Sequence, residues 1–330
     1  MLFSIILILL RNLDTTAIGI TKLLISVKSP RITFVNMIQE HRSLKNLTWM
    51  KVGGKADYYS EVSTKEELLE AFSFVQEKNI PIIYLGQGSN MLVPEEGFRA
   101  LVIRLMNEEV EYDLDHSDER ALLHVEGGKI LAKLIRECRK NGLLGLDNFV
   151  GIPGVVGAAV AGNIGIPDEE FGELVQQVEI FDGQEFQTLS PDQCDFRYRG
   201  SKIRDEYWLV WSVQLLVEKG EAPQKDEWLL ERVAKQPKGH SCGSFFKNPN
   251  PHRGLFAGKI IDECGLKGTR KGGAFISEKH GNFLMNDGNG TASDVIALAR
   301  EIKKEVLAKK GIVLENEVLL YDEFAQLVTL

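Results

Sequence analysis

Hydrophobic and polar positions alternate in regular patterns beyond residue 45, and the first pattern predicts a helix between two strands. Residues 63–66 read Ser-Thr-Lys-Glu, which is a capping-box pattern. An apolar stripe at helical spacing follows it, made of Leu68, Leu69, Phe72 and Val75. Asn79 provides a C-terminal stop, and the apolar run 80–85 then predicts a buried strand. This region is therefore predicted to be a β–α–β unit.

A glycine-rich turn follows that strand directly and carries the first candidate binding residues. These are Gly86, Gln87, Gly88, Ser89 and Asn90. The turn lacks the third glycine of a Rossmann fingerprint and the Lys-Ser/Thr pair of a Walker loop. Two close glycines can simply make a tight turn, and on spacing alone that interpretation has equal weight. The hydroxyl of Ser89 and the amide of Asn90 favour a phosphate site, because they add to the backbone N–H donors of such a turn.

A second segment of small residues lies after a predicted helix at 130–141. It carries four further candidate residues, Gly151, Ile152, Gly154 and Gly157. Taken alone, this segment could be a packing corner. Two such loops in one chain favour a ligand with an extended phosphate-bearing linker, such as FAD.

The remaining pattern predicts a mixed α+β chain with a boundary in its second half. Strands are expected at 178–181 and 208–217, with Asp182-Gly183 as a hairpin turn. The polar, charged stretch 218–238 suggests a domain boundary. Beyond it we expect a helix at 257–264, a capped helix from Thr291 to about residue 310, and a final strand at 314–321.

Composition excludes several classes of function. The chain has 330 residues, enough for two domains, with 44% hydrophobic and 26% charged residues, as in ordinary globular proteins. A net charge of −8 argues against a nucleic-acid groove. The four cysteines form no C-x-x-C pair, so we expect no metal site, and their wide spacing is typical of a reducing, cytoplasmic compartment.

The N-terminal residues 1–36 stand apart from this patterned sequence. Residues 1–10 are apolar, but a bilayer span needs roughly 20 such residues, so we expect no stable membrane insertion. A weak anchor is the alternative. We favour treating residues 1–36 as an uncertain extension, with Met37 as an alternative start.

Five polar residues are candidates for chemistry, although each also has an ordinary structural interpretation. Arg199 could be a surface charge, Glu317 an outward residue on an edge strand, and Ser244 a turn serine. Lys247 and Asn248 could be ordinary loop residues. Individually, therefore, none of them identifies a function.

In their order along the chain, however, the motifs resemble the UDP-N-acetylenolpyruvoylglucosamine reductase family over residues 45–322. The matching segments include Val52-Gly53-Gly54-Lys55-Ala56-Asp57, Leu85-Gly86-Gln87-Gly88-Ser89-Asn90, Gly151-Ile152-Pro153-Gly154, Phe196-Arg197-Tyr198-Arg199, Gly243-Ser244-Phe245-Phe246-Lys247-Asn248-Pro249 and Leu314-Glu315-Asn316-Glu317-Val318. The segment 243–249 is specific, and the ordered set is more specific than any one piece. Three segments depart from the family pattern: 47–49, 163–168 and Phe275.

The resemblance implies an α+β protein with a two-subdomain FAD-binding fold of the vanillyl-alcohol-oxidase type and a smaller α+β substrate domain. The FAD-binding domain would cover 37–217 and the substrate domain 218–314, and 315–330 would return as a strand to the FAD domain. The glycine loops would hold FAD non-covalently, because neither contains His or Cys. The short interval between Arg199 and Ser244 is similar to the family type that lacks a tyrosine-bearing loop.

The resemblance also implies an oxidoreductase of peptidoglycan precursor synthesis. NADPH would reduce the bound FAD, and UDP-N-acetylglucosamine enolpyruvate would then be reduced to UDP-N-acetylmuramate. Arg199 and a protonated Glu317 would stabilise the charge beside the substrate carboxylate, and Ser244 would deliver the final proton. Lys247 and Asn248 would hold the diphosphate or nucleotide. A monomer is expected.

Two other functions stay open at this point. One is another flavoenzyme on the same fold that oxidises a sugar or alcohol, and the other is a non-catalytic flavin-binding protein. The joint presence of Ser244, Arg199 and Glu317 argues against both.

Overall fold

The computed structural model describes residues 38–166, 169–221, 234 and 236–330. The predicted N-terminal extension 1–36 lies outside the described residues, as does part of the predicted boundary at 218–238. Within the described ranges the chain forms sheets of several strands with helices packed against them.

The first sheet comes from the N-terminal part of the described chain. Its elements and the short strand beside it are β1 (Gln39–Ser43), β2 (Lys55–Val62), helix α1 (Lys65–Lys78), β3 (Ile82–Tyr84), β4 (Met91–Leu92) and β5 (Phe98–Leu105). The strand order is β1-β2-β5-β3, and β5 runs parallel to both β2 and β3. This confirms the predicted β–α–β unit, with α1 as the crossover.

The start of α1 differs by one residue from the predicted capping box. Thr64 has extended backbone angles and accepts a hydrogen bond from the backbone N–H of Glu67, whose carboxylate in turn accepts from the N–H of Thr64. Thr64 is therefore the N-cap, and Glu67 rather than Glu66 completes the box. Asn79 ends the helix in the left-handed conformation, as predicted.

The second sheet and its helices form the middle of the chain. The elements are β6 (Val110–Asp113), β7 (Arg120–Glu126), α2 (Leu131–Lys140), β8 (Leu143–Leu144), α3 (Val156–Gly162), β9 (Gly165–Ile166), β10 (Glu169–Glu170), β11 (Val175–Phe181), β12 (Phe186–Leu189), α4 (Pro191–Cys194), α5 (Lys202–Asp205) and β13 (Leu209–Lys219). The main strand order is β12-β11-β13-β7-β6, with β8 beside β13. The hairpin predicted at Asp182-Gly183 joins β11 to β12, a strand that the sequence analysis did not predict.

The third sheet carries the segment with the most specific motif. Its elements are β14 (His240–Ser244), α6 (Ala257–Glu263), β15 (Arg270–Lys271), β16 (Ala274–Ile276), β17 (Phe283–Asn286) and α7 (Ala292–Lys310), followed by β18 (Leu319–Leu320). The strand order is β14-β17-β16-β15, and the apolar face of α7 belongs to the core beside this sheet. β18 lies outside this sheet and pairs in parallel with β4.

Buried side chains join the first sheet to the second and thereby create the walls of a cleft. Leu101 and Ile103 of β5 share one core with Phe181 and Trp211. The C-terminal ends of β3 and β5 are thus held close to β13, and the connections that leave these strands face one another.

Candidate active site

A deep cleft lies between the first two sheets, and most of its walls come from loops that leave strand ends. It holds about 1380 Å³ of space when the part open to solvent is counted. The turn 86–90 forms one side, and α3 with the segment 199–210 forms another. Glu317, Leu319 and Tyr321 close the cleft from the C-terminal segment.

The turn 86–90 presents its backbone to the cleft. Gly88 has φ of 63°, and its carbonyl accepts a hydrogen bond of 3.0 Å from the N–H of Trp49, which fixes the turn against the preceding loop. No acceptor among the described residues pairs with the backbone N–H groups of residues 86–90. A row of free N–H groups with little side-chain bulk is suited to bind a diphosphate, so this turn fits the linker of FAD.

The two glycine-rich loops predicted from the sequence contact each other directly. The side-chain oxygen of Gln87 accepts a hydrogen bond of 3.0 Å from the N–H of Gly154. The Ser89 hydroxyl donates to the carbonyl of Pro153 at 3.4 Å. Gln87 and Ser89 therefore connect the loops, in addition to lining the cleft.

The second loop contributes to the cleft with only some of its predicted residues. Gly154 and Gly157 lie in the wall, and a side chain at Gly157 would meet the Gly127 carbonyl oxygen at 3.0 Å. Gly151 and Ile152 do not line the cleft, and Ile152 packs instead against the core of the second sheet. Their role in binding FAD stays a prediction.

Arg199 is held at the tip of a tight turn beside the cleft. Arg197 and Gly200 exchange backbone hydrogen bonds, which leaves Arg199 with φ of 56°. The Arg199 Nη2 donates to the carbonyl of Gly165 at 2.6 Å, and its Nε lies 3.3 Å from Oε1 of Glu317. The structure therefore brings together two of the three catalytic residues predicted from the sequence.

Glu317 lines the cleft with its side chain 21% exposed, and hydrogen bonds hold its main chain on both sides. Its N–H donates to the carbonyl of Phe245 at 2.9 Å, and its carbonyl accepts from the Asn90 amide at 3.3 Å. Burial raises the pKa of the Glu317 carboxyl, whereas the charges of Arg199, Arg204 and Lys247 act in the opposite direction. The net shift of the pKa is upward, and the protonated state of Glu317 in catalysis stays a prediction.

Ser244 and its neighbours approach this pair from the third sheet without forming the cleft wall. Ser244 ends β14, one residue before the Phe245 carbonyl that holds Glu317. The N–H of Lys247 donates to the carbonyl of Glu315 at 2.9 Å. The side-chain oxygen of Asn248 accepts from the N–H of Ala257 at 3.0 Å, so that oxygen is engaged at the start of α6.

Several residues of the cleft were not found from the sequence. Arg204 lines it, as do three tyrosines, Tyr84, Tyr207 and Tyr321. Tyr207 stacks on Tyr84 with ring centroids 5.2 Å apart, and burial raises the pKa of all three phenols. Arg204 follows the predicted motif 196–199 within the same segment, but no periodic pattern separates it from a surface charge.

The donor set fits a flavin nucleotide rather than a metal. Across the described ranges, no group of three or more His, Cys, Asp or Glu side chains is placed to hold a metal ion. The cleft instead combines free backbone N–H groups, apolar walls and an arginine–carboxyl pair.

None of the helices in the described part of the chain has the length and apolar character needed to cross a bilayer.

Comparison with known proteins gives a consistent family. The model of the FAD binding domain matches residues 56–185, and the model described as UDP-N-acetylenolpyruvoylglucosamine reductase, C-terminal domain, matches 235–321. The reductase of that name from Chloroherpeton thalassium is 36% identical over 306 residues, covering 90% of this chain and 97% of the relative. The one from Clostridioides difficile is 35% identical over 293 residues, covering 87% and 94%.

A solved structure extends the match to three dimensions. The crystal structure of UDP-N-acetylenolpyruvylglucosamine reductase from Thermus caldophilus has a TM-score of 0.70 and 37% sequence identity, covering 86% of this chain and all of that one. The predicted α+β fold with an FAD-binding domain of the vanillyl-alcohol-oxidase type is thereby confirmed. The chain therefore belongs to the UDP-N-acetylenolpyruvoylglucosamine reductase family of FAD-dependent oxidoreductases.

Proposed function

We propose that this chain reduces UDP-N-acetylglucosamine enolpyruvate to UDP-N-acetylmuramate with electrons from NADPH, as a step of peptidoglycan precursor synthesis. The observation that carries the proposal is the contact between Arg199 and Glu317 at the edge of a cleft that fits FAD. The family membership gives the reaction class, and the Arg199–Glu317 pair provides groups that can stabilise the negative charge formed in that reaction.

The turn 86–90 would hold the FAD diphosphate through its backbone N–H groups, and Gly154 and Gly157 would allow close approach on the other side. Binding is non-covalent in this proposal, because neither loop offers a His or Cys. When bound, FAD supplies the hydride that reduces the methylene carbon of the enol ether.

Arg199 would bind the carboxylate of the enolpyruvyl group. Its backbone turn and its hydrogen bond to Gly165 fix the guanidinium before substrate arrives, so little reorganisation is needed. Hydride addition places negative charge on the carbon beside that carboxylate. A planar guanidinium stabilises this charge through the carboxylate oxygens.

Glu317 would assist by staying protonated, because an ionised carboxylate would repel the developing charge. Its raised pKa supports this role. Ser244 would then give the last proton to the substrate carbon. A serine hydroxyl is a poor acid at neutral pH, so the step depends on a strongly basic carbon and on a relay that returns the proton to Ser244.

Lys247 and Asn248 would bind the UDP diphosphate or nucleotide. Lys247 has a side chain 32% exposed and only a 3.6 Å contact with Glu315, so its ammonium can turn to an anionic ligand. Asn248 would act through its amide hydrogens, since its oxygen already begins α6.

We also propose the domain division 37–217, 218–314 and 315–330, which the pairing of β18 with β4 supports at the C-terminal end. The proposed location is the cytoplasm, and four buried, unpaired cysteines suit its reducing conditions. The protein is proposed to be a monomer, which light scattering of the purified enzyme measures directly.

The test separates the two half-reactions by following the flavin absorbance under anaerobic conditions. The purified protein should be yellow, bleach with NADPH and recover when the enolpyruvyl UDP-sugar is added. Ser244→Ala and Glu317→Gln should still bleach normally but recover at least about 100-fold more slowly, because only the second step needs their protons. Unimpaired recovery in either variant would contradict the assigned role. Bleaching without any recovery in the wild-type enzyme would favour another FAD-dependent oxidoreductase.

A further inference from the structure

A second guanidinium, that of Arg204, lies in the cleft wall with no role in the reaction described above. Its backbone is rigidly placed. The N–H of Arg204 donates to the Ser201 hydroxyl at 3.3 Å, and that hydroxyl donates to the Ala161 carbonyl at 2.7 Å. Ser201 is fully buried, so α5 is fixed to the end of α3, which also lines the cleft.

The side chain of Arg204 contacts the turn that carries Arg199. Its Nη1 donates to the carbonyl of Arg199 at 3.1 Å. Arg199 has a positive φ of 56°, an uncommon conformation for a residue other than glycine that persists only where neighbours hold it in place. The hydrogen bond that the charged Arg204 guanidinium donates to the Arg199 carbonyl is such a restraint.

Arg204 also gives the cleft wall an excess of positive charge. Among the described residues of the wall, the charged side chains are Arg199, Arg204 and Glu317. Arg199 is already divided between Glu317 and the Gly165 carbonyl. A substrate that brings a carboxylate therefore meets two guanidinium groups in the wall, those of Arg199 and Arg204.

We propose that Arg204 is a positioning residue for reduction of the enolpyruvyl substrate, which holds Arg199 in its left-handed turn conformation and supplies a second positive charge beside Glu317. This inference rests on the proposed function. The charged groups that face Glu317 are Arg199 from its turn, Arg204 from α5 and Lys247 from the loop after β14. Glu315, on the same segment as Glu317, is paired with Lys247.

The charge and the hydrogen bond of Arg204 make separable predictions. Removing the charge removes one of the three cations that lower the pKa of Glu317, so the carboxyl should keep its proton to higher pH. Removing the hydrogen bond loosens Arg199 and should slow the step in which substrate charge develops. Reduction of the flavin by NADPH uses neither effect.

The test compares R204Q and R204K with wild type in both half-reactions across the neutral and alkaline pH range. R204Q should retain FAD and bleach normally with NADPH. Its recovery with the enolpyruvyl UDP-sugar should be slower by about ten-fold or more, the loss typical of a hydrogen bond to a charged group. The alkaline limb of its recovery rate should move to higher pH. R204K should return that limb to its wild-type position, while its rate stays reduced.

R99Q is the matched control. The guanidinium of Arg99 is about half exposed and pairs with Asp57 at 3.0 Å, and Arg99 is not part of the cleft wall. It should leave both half-reactions unchanged.

Four results would overturn the proposal. Recovery of R204Q as fast as that of R99Q, with the same pH profile, would leave Arg204 without a role in the reaction. Loss of FAD in both R204Q and R204K would mean that Arg204 is needed for folding rather than for the reaction. If only R204Q loses FAD, the recovery rate of R204K becomes the test, and a wild-type rate in R204K would contradict the positioning role. Failure of wild-type enzyme to recover with the UDP-sugar would overturn the proposed function itself, and this inference with it.

Discussion

Gly88→Ala tests whether the backbone of the 86–90 turn is the site that holds FAD. Gly88 has φ of 63°, and a Cβ there would lie 2.5 Å from the Leu47 carbonyl oxygen and 2.8 Å from Thr48 Cα. Both are main-chain atoms, so the contact cannot be relieved by rotating a side chain. The turn itself must move.

The size of the effect follows from two contributions. A left-handed conformation costs a residue with a Cβ about 1–2 kcal/mol. Moving the turn also breaks the 3.0 Å hydrogen bond from Trp49 to the Gly88 carbonyl, which contributes about 1 kcal/mol. If the turn relaxes by displacing its N–H groups, roughly 2–3 kcal/mol appears as weaker FAD binding, or about 30- to 150-fold in Kd.

The assay is titration of the FAD-free protein with FAD, followed by quenching of flavin fluorescence. Gly311→Ala is the matched control, because Gly311 has φ of 68° but a Cβ at this position would meet no atom of the described residues within 4 Å. It ends α7 and lies outside the cleft wall. It should lower the free energy of unfolding by about 1 kcal/mol and leave FAD affinity unchanged.

Two results would refute this reasoning. Wild-type FAD affinity in Gly88→Ala would mean that the turn does not hold the cofactor through its backbone. An equal loss of affinity in Gly311→Ala would mean that the effect is general destabilisation rather than a local change at the site.

Three further predictions concern the core, the cysteines and the acid in the cleft. Phe246→Ala should lower the free energy of unfolding by about 3–5 kcal/mol in urea titrations, because Phe246 is fully buried in the core beside the third sheet. A thiol reagent at neutral pH should modify the native protein very slowly and all four cysteines after unfolding, since all are buried and burial raises the pKa of Cys138 and of Cys242 to about 12. The recovery step should slow as pH rises through the raised pKa of Glu317, because the carboxyl then loses its proton. Bleaching by NADPH should not show this decrease in rate. The same decrease in both steps would contradict the role assigned to Glu317.

Local elements were the part of the fold that the sequence predicted well. The helix expected at 130–141 spans Leu131–Lys140, and the capped helix from Thr291 runs to Lys310. Both have apolar residues at helical spacing, and the second also has a capping box at Thr291 and Gly311 at its end, so residues close together in the chain largely decide where they form.

The predicted final strand at 314–321 shows where this reasoning fails. Only Leu319–Leu320 form a strand, paired with β4, while the N–H of Glu317 turns to the Phe245 carbonyl. A strand exists only where a partner backbone lies beside it, and the apolar pattern does not say where that partner ends.

The sequence by itself determined the β–α–β unit, the helices at 130–141 and from Thr291, the two glycine-rich loops and the family motifs that contain Arg199, Ser244 and Glu317. These depend on residues close together in the chain. Only the tertiary structure decided that Arg199 and Glu317 meet, that the two loops are joined through Gln87, and that Arg204 lies in the cleft. The physical reason is that contact, burial and the resulting pKa depend on distances through space, which sheet pairing and core packing set between segments far apart in sequence.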